Sequence, residues 1–237
     1  MCGRYVLPDA DAVGEYWAIA RGWTGGWFRP RYNVTPTARV PILAKGTAGL
    51  ELRGARWGLV PEWWKGAKAP ARTFNARAEE AADKPAWRES YRRRRCLMPA
   101  MGWYEWSDGE TVVDGRGRVA KRPYYVFGRD GGVLAFAGVW TRWASPGGGT
   151  VETCAMLTKP AAAGIAFIHG RMPVVLKAAR QETWMDPAAT AAELEEAVED
   201  AREDFAAHPV GLRVNDLGND DPELMAVAAG GRRDTLF

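Results

Sequence analysis

The chain has 237 residues, 47% of them hydrophobic, enough to bury a sizeable core, and it carries a modest net charge of +3. No run approaches the roughly 18 apolar residues of a membrane span. The first residues lack the basic-then-apolar order of a secretory signal, and three cysteines, Cys2, Cys96 and Cys154, make neither an even disulfide set nor a CxxC pair. These features are expected of a cytoplasmic protein with reduced thiols and no membrane association. Because the cysteines, His169 and His208 are scattered without ligand spacing, neither a metal nor another cofactor is expected.

In chain order the first signal is Cys2, in Met1-Cys2-Gly3-Arg4. Initiator methionine is usually excised before a small residue, so the mature chain is expected to begin with Cys2 and to present an α-amine and a thiol on adjacent carbons. Such a 1,2-aminothiol condenses with an aldehyde to an imine and then closes to a five-membered thiazolidine. Its α-amine has a reference pKa of about 7.7–8.0, so roughly a tenth is nucleophilic free base at pH 7.

Residues 9–23 carry apolar side chains near helical spacing, with Asp9 or Asp11 as the cap. Residues 24–39, with Gly25-Gly26, Pro30 and Pro36, read as loop. Residues 40–44 and 50–60 read as a strand pair joined at Lys45-Gly46-Thr47, 61–75 as a long loop, and 76–92 as helical with Pro85 at a helix start. Strand signals follow at 95–106, 123–128, 133–141, 151–158 and 172–176, separated by glycine-rich turns. Residues 178–185 and 190–204 read as helices and 205–214 as strand. Helices and strands do not alternate, which disfavours a doubly wound parallel sheet. The expected fold is α+β: a curved, mostly antiparallel sheet or open barrel with flanking helices. It forms one domain over 1–237, with a loosely packed tail after about residue 220.

Charge is unevenly placed. Arg88 and Arg92 to Arg95 fall within eight residues, while residues 193–204 are acidic. The split points to a basic face that binds a polyanion and an acidic back; the alternative is a solvated helix face with no ligand. Twelve tryptophans are unusual for this length. In an extended segment Trp63 and Trp64 cannot both point into one core. A loop with aromatics beside basic residues suits stacking on unpaired bases, at roughly 1–3 kcal/mol per base; alternatively one of the two pins the loop to the core.

Polar residues inside apolar stretches mark where a site could form. Glu105 lies in Gly102-Trp103-Tyr104-Glu105-Trp106, where desolvation would raise its pKa into a useful acid/base range, unless it faces solvent. His169, in Ile168-His169-Gly170-Arg171-Met172-Pro173, is a candidate proton shuttle or a structural turn histidine. His208 has no such company and reads as structural. Asn75 could hold a sugar hydroxyl or orient a nucleophile, or cap the following helix. Arg77 and Arg171 could each fork onto a phosphate.

Taken with Arg31-Tyr32-Asn33-Val34, Trp57-Gly58-Leu59-Val60-Pro61, Trp63-Trp64, Asn75-Ala76-Arg77-Ala78-Glu79 and Arg95-Cys96, these segments resemble the SRAP family (SOS response-associated peptidase domain), the abasic-site processing proteins. The resemblance runs almost end to end and weakens after about residue 205. It implies a DNA-damage protein, monomeric and nucleoid-associated, whose partner is single-stranded DNA containing abasic sites. It captures the lesion's aldehyde as a covalent thiazolidine at Cys2. It implies a catalytic set of Cys2, Asn75, Glu105 and His169, and DNA-binding positions Arg4, Trp63, Trp64, Arg77 and Arg171, with the tryptophan pair as a wedge beside the lesion. Weak lyase activity, reversal of the crosslink and autoproteolytic exposure of Cys2 follow as further expectations. Two rivals remain: a cysteine peptidase with Cys2 as nucleophile and His169 as base, and a non-catalytic single-strand binding module.

Overall fold

The structure is a computed structural model and describes residues 2–19, 28–47 and 49–228. In chain order its elements are β1 (Arg4–Leu7), α1 (Ala10–Tyr16), β2 (Arg31–Val34), β3 (Arg39–Gly46), β4 (Gly49–Trp57), β5 (Asn75–Arg77), α2 (Ala78–Ala81), α3 (Arg88–Arg93), β6 (Arg95–Ala100), β7 (Gly102–Val113), β8 (Val119–Gly128), β9 (Leu134–Ala144), β10 (Thr150–Pro160), β11 (Arg171–Pro173), α4 (Ala178–Met185), α5 (Ala191–Glu199) and β12 (Phe205–Pro209). Two 3₁₀ turns follow, at Leu212–Asn215 and Pro222–Met225.

The expected α+β barrel is present, and it is closed. β4 pairs with β3, β3 with β6, β6 with β9, β9 with β10, and β10 returns to β4. Pairing is antiparallel except where β10 meets β4 and β5. A second, antiparallel sheet in the order β12-β8-β7-β1-β2 lies against the barrel. Inward-facing residues on alternate positions make the seam between them. Tyr5 of β1 meets Trp57 of β4 at 5.2 Å and Phe136 of β9 at 6.0 Å, and Trp103 of β7 meets Phe136 at 5.9 Å, all edge-on. Among the described residues six tryptophans (Trp57, Trp87, Trp103, Trp140, Trp143 and Trp184) are buried, so core packing accounts for much of the unusual tryptophan content. Each such ring contributes on the order of 3 kcal/mol by burial.

The segment read as one strand over 95–106 is two strands in different sheets. The chain turns at Met101, and a Cβ on Gly102 would lie 2.4 Å from the Val126 carbonyl oxygen, so only glycine permits the close approach of β7 to β8. The helical region 76–92 is two short helices, α2 and α3, with Pro85 between them. The last strand ends at Pro209 rather than 214. The loop assigned to 24–39 contains β2, whose Tyr5–Val34 pairing with β1 supplies hydrogen bonds that local sequence does not advertise. Asp9 caps α1 as expected, accepting from the Ala12 amide at 2.7 Å; the helix ends at Tyr16, short of the expected 23, and residues 20–23 lie outside the described residues.

Arg95 overturns the reading of the arginine run as a uniform basic face. It is buried and donates to the carbonyls of Tyr91, Arg92, Trp184 and Asp186, tying the ends of α3 and α4 together. Arg94 pairs with Glu62, and Arg93 with Glu89. The acidic stretch is similarly occupied: Glu193 completes a capping box with Thr190, and Glu196 and Asp200 pair with Arg180.

The chain beyond residue 220, expected to pack loosely, is held as far as residue 228. Val210, Val214 and Leu224 bury against Tyr104 and Tyr125 on the outer face of the second sheet. Asp220 accepts from the Arg31 side chain and from the amides of Tyr32 and Asn33, closing the β2 edge. His208 Nε2 donates to the Met225 carbonyl, 2.7 Å away, the structural role read for it.

Candidate active site

Cys2 immediately precedes β1, which pairs with β7 so that Arg4 faces Tyr104 and Tyr5 faces Trp103. Continued by two residues, this antiparallel register carries Cys2 toward Glu105 and Trp106. Asn75 opens β5, where pairing with β10 sets it opposite Met156. From there its Nδ2 donates to the Cys2 carbonyl at 2.7 Å. Asn75 does not cap α2, whose N-cap is Arg77 and makes no side-chain capping bond. Its Oδ1 is buried without a hydrogen-bond partner among the described residues. A buried acceptor left unpaired costs about 1–3 kcal/mol, which a ligand N–H or hydroxyl would recover.

Glu105 is 4% exposed, so the solvent-facing alternative does not hold. Its neighbours are covered on both faces of β7: Trp103 packs into the barrel seam and Tyr104 into the outer cluster. Burial pushes the Glu105 carboxyl up to about 7, with Asp108 adding in the same direction. It is therefore poised between acid and base near neutral pH. Burial, and then the charge of Glu105, push the Cys2 thiol well above its usual range.

His169 lies on the loop between β10 and β11. The Asp108 amide donates to the Ile168 carbonyl at 3.0 Å and ties this loop to β7 just beyond Glu105. His169 Nδ1 lies 3.0 Å from the Arg171 amide and 3.3 Å from the Arg171 carbonyl; with Nδ1 accepting from the amide, the shorter contact, a neutral ring carries its proton on Nε2. Burial lowers the imidazole pKa below its usual value, which makes its protonated form a stronger acid than a free imidazolium.

The arginines differ in what they are free to do. Arg171 forks onto Glu79 at 2.6 and 3.0 Å and also donates to the Thr158 carbonyl; this bond holds the Glu79 carboxyl below its usual range. Arg4 donates to Asn33 Oδ1 at 2.8 Å and to the Val214 carbonyl at 2.6 Å, and its guanidinium lies 5.6 Å from the Trp106 ring centroid. Arg77 is exposed, with Glu80 at 3.6 Å. Trp64 is pinned by its Nε1 bond to the Lys68 carbonyl and by the Trp143 Nε1 bond to its own carbonyl, while Trp63 is 57% exposed. The part of Asn33 was not read from sequence, although its motif was: its amide nitrogen donates to the carbonyls of Val214, Asp216 and Asn219, so it holds both Arg4 and the C-terminal strap.

This chain belongs to the SOS response associated peptidase (SRAP) family, whose description matches residues 1–217. It is similar to "Abasic site processing protein YoqW" of Bacillus subtilis, 31% identical over 231 residues that cover 95% of this chain and 99% of the relative. It is also similar to "Abasic site processing protein HMCES" of Gallus gallus, 29% identical over 84% of this chain and 67% of the relative. A crystal structure of a Bacteroides thetaiotaomicron protein superposes with a TM-score of 0.71 at 25% identity, covering 94% of this chain and 92% of that one.

Proposed function

We propose that this protein processes abasic sites in single-stranded DNA by capturing their open-chain aldehyde as a thiazolidine on Cys2, after removal of Met1. The observation that carries this reading is the 2.7 Å bond from Asn75 Nδ2 to the Cys2 carbonyl, which fixes Cys2 beside a buried carboxyl.

In this reading the protonated His169 ring gives its Nε2 proton to O4′ as the O4′–C1′ bond breaks, the C1′ hydroxyl loses its proton to solvent, and the aldehyde forms beside a neutral imidazole. The Cys2 amine adds to C1′, and the carbinolamine loses water to give the imine. Glu105 takes a proton from the attacking nitrogen and returns one to the departing hydroxyl, a task suited to a carboxyl near 7. The thiol then adds to the imine carbon, forming the C–S bond as its proton passes to nitrogen. Asn75 Oδ1 accepts from the nitrogen or from a sugar hydroxyl. Amine and thiol arrive already joined, so ring closure is intramolecular and proximity supplies much of the rate. The same residues run the steps in reverse, and β-elimination from the imine gives weak lyase activity. The protein acts as a monomer on the nucleoid, and Arg77 and Trp63 are the contacts open to the strand.

Against a peptidase mechanism, a nucleophilic cysteine is made acidic by a paired imidazolium, whereas burial and Glu105 push the Cys2 thiol the other way. The test is to mix the protein with single-stranded DNA carrying one abasic site and to resolve the products on a denaturing gel. Wild type gives a stable adduct, while Cys2→Ala and a form with an uncleaved residue ahead of Cys2 give none. An adduct that survives either change refutes the proposal, and peptide cleavage that needs Cys2 without any adduct favours the peptidase.

A further inference from the structure

Among the described residues two aromatic rings are more than half exposed, Trp63 at 57% and Phe167 at 56%. Trp63 sits on the loop that leads into Asn75. Phe167 sits two residues before His169, on the loop between β10 and β11. A single exposed apolar side chain is ordinary on a protein surface. Phe167 differs because its surroundings hold it in place.

Its ring meets Tyr124 at 5.6 Å and 88°. Tyr124 is itself anchored, donating from its hydroxyl to Glu110 Oε1 at 2.9 Å, while Glu110 pairs with Arg122 at 3.0 Å. The backbone is fixed on both sides. Ile165 and Ile168 are buried, the Ile168 amide donates to the Ile165 carbonyl, the Ile168 carbonyl accepts from Asp108, and the Ala161 amide donates to the Gly170 carbonyl. An aromatic ring ordered before a ligand arrives loses little entropy on binding. The two-residue step from Phe167 to His169 spans at most about 7 Å of chain, so Phe167 stands within about one nucleotide of the sugar that His169 serves.

We infer that Phe167 is a base-stacking residue: it receives the nucleobase next to the abasic site, on the side of the lesion away from Trp63. The inference rests on the proposed action on abasic single-stranded DNA, and it adds a specificity contact to that site. It predicts that the protein grips the lesion between two flanking bases rather than one. Lys121, paired with Asp108 at 2.6 Å beside the same loop, marks where the strand's phosphates would pass.

The experiment compares wild type, Phe167→Ala, Phe167→Leu and Phe167→Trp, all with Met1 removed. Adduct formation is followed at subsaturating DNA, and binding to an oligonucleotide with an unreactive tetrahydrofuran abasic analogue is followed by anisotropy. Loss of one stacked base lowers both the rate and the affinity of Phe167→Ala by about fivefold to a hundredfold. Phe167→Trp restores them, and Phe167→Leu, which fills the same space without a π face, does not. Replacing the base on one side of the lesion with a baseless spacer removes the difference between wild type and Phe167→Ala, while a spacer on the other side leaves it. The inference is overturned if Phe167→Ala matches wild type, if Phe167→Leu restores function, or if the deficit survives spacers on both sides. Should wild type form no adduct at all, the aldehyde-capture reading fails separately, and the anisotropy comparison still decides whether Phe167 stacks.

Discussion

Replacing Glu105 by glutamine should stabilise the protein in alkaline solution and leave it nearly unchanged in acid. Burial raises the Glu105 carboxyl from its ordinary 4.5 to about 7. The raised value means that the folded state prefers the protonated form. The group's favourable contribution is therefore fully present below the unfolded value of about 4.5 and is lost as pH rises through about 7. The gap of about 2.5 pH units corresponds to about 3 kcal/mol at full ionisation, at about 1.4 kcal/mol per unit. Glutamine has nearly the same shape and carries no charge, so it escapes this cost. Urea unfolding of wild type and Glu105→Gln at pH 8.5 should differ by about 3 kcal/mol in favour of the variant, shrinking to under about 1 kcal/mol at pH 5. The stabilised variant should lose aldehyde capture, as expected where a site holds a costly buried charge for function. A variant that is no more stable at pH 8.5, or is stabilised equally at both pH values, would show that the carboxyl is not held in a low-dielectric environment and would remove the basis for its acid/base role.

Three further outcomes follow from the geometry. His169→Ala should slow adduct formation by about 10²–10³-fold in single-turnover assays, through loss of proton donation at O4′, with binding to an unreactive abasic analogue retained. Gly102→Ala should lower stability by about 1–3 kcal/mol, read as a drop in melting temperature, because the new Cβ meets the fixed Val126 carbonyl. Arg95→Met should cost about 3–5 kcal/mol in denaturant unfolding, since the carbonyls at the ends of α3 and α4 lose their shared donor.

The barrel strands were legible because β3, β4, β9 and β10 are long and carry apolar runs or alternation bounded by glycine turns. β2 was not, because four residues between prolines are paired only through a partner far away in sequence. The break at Met101 depends on how closely Gly102 passes Val126, which exists only in three dimensions. Charge runs misled for a related reason. Arg95 and Arg94 are neighbours in sequence, but one points into the junction of α3 and α4 while the other reaches Glu62. At the site, the residue types came from motifs and resemblance, whereas the environment came from the fold. Trp103-Tyr104-Glu105-Trp106 has apolar residues on both faces, so alternation could not say which way Glu105 pointed; the barrel covers one face of β7 and Val210, Val214 and Leu224 cover the other. Likewise nothing in the sequence placed Asn75 against the Cys2 carbonyl, because that contact is made by the parallel pairing of β5 with β10.

The central claim is that the amine and the thiol of Cys2 act together on one aldehyde carbon. The most direct test is the intact mass of the product formed with abasic single-stranded DNA, with and without borohydride. Wild type should give the summed masses of protein and DNA less one water, without any reductant. Cys2→Ala keeps the α-amine but has no thiol to close the ring, and it should give an adduct only when borohydride traps the imine. A stable, unreduced adduct from Cys2→Ala, or a wild-type adduct seen only with borohydride, would contradict thiazolidine formation at this residue.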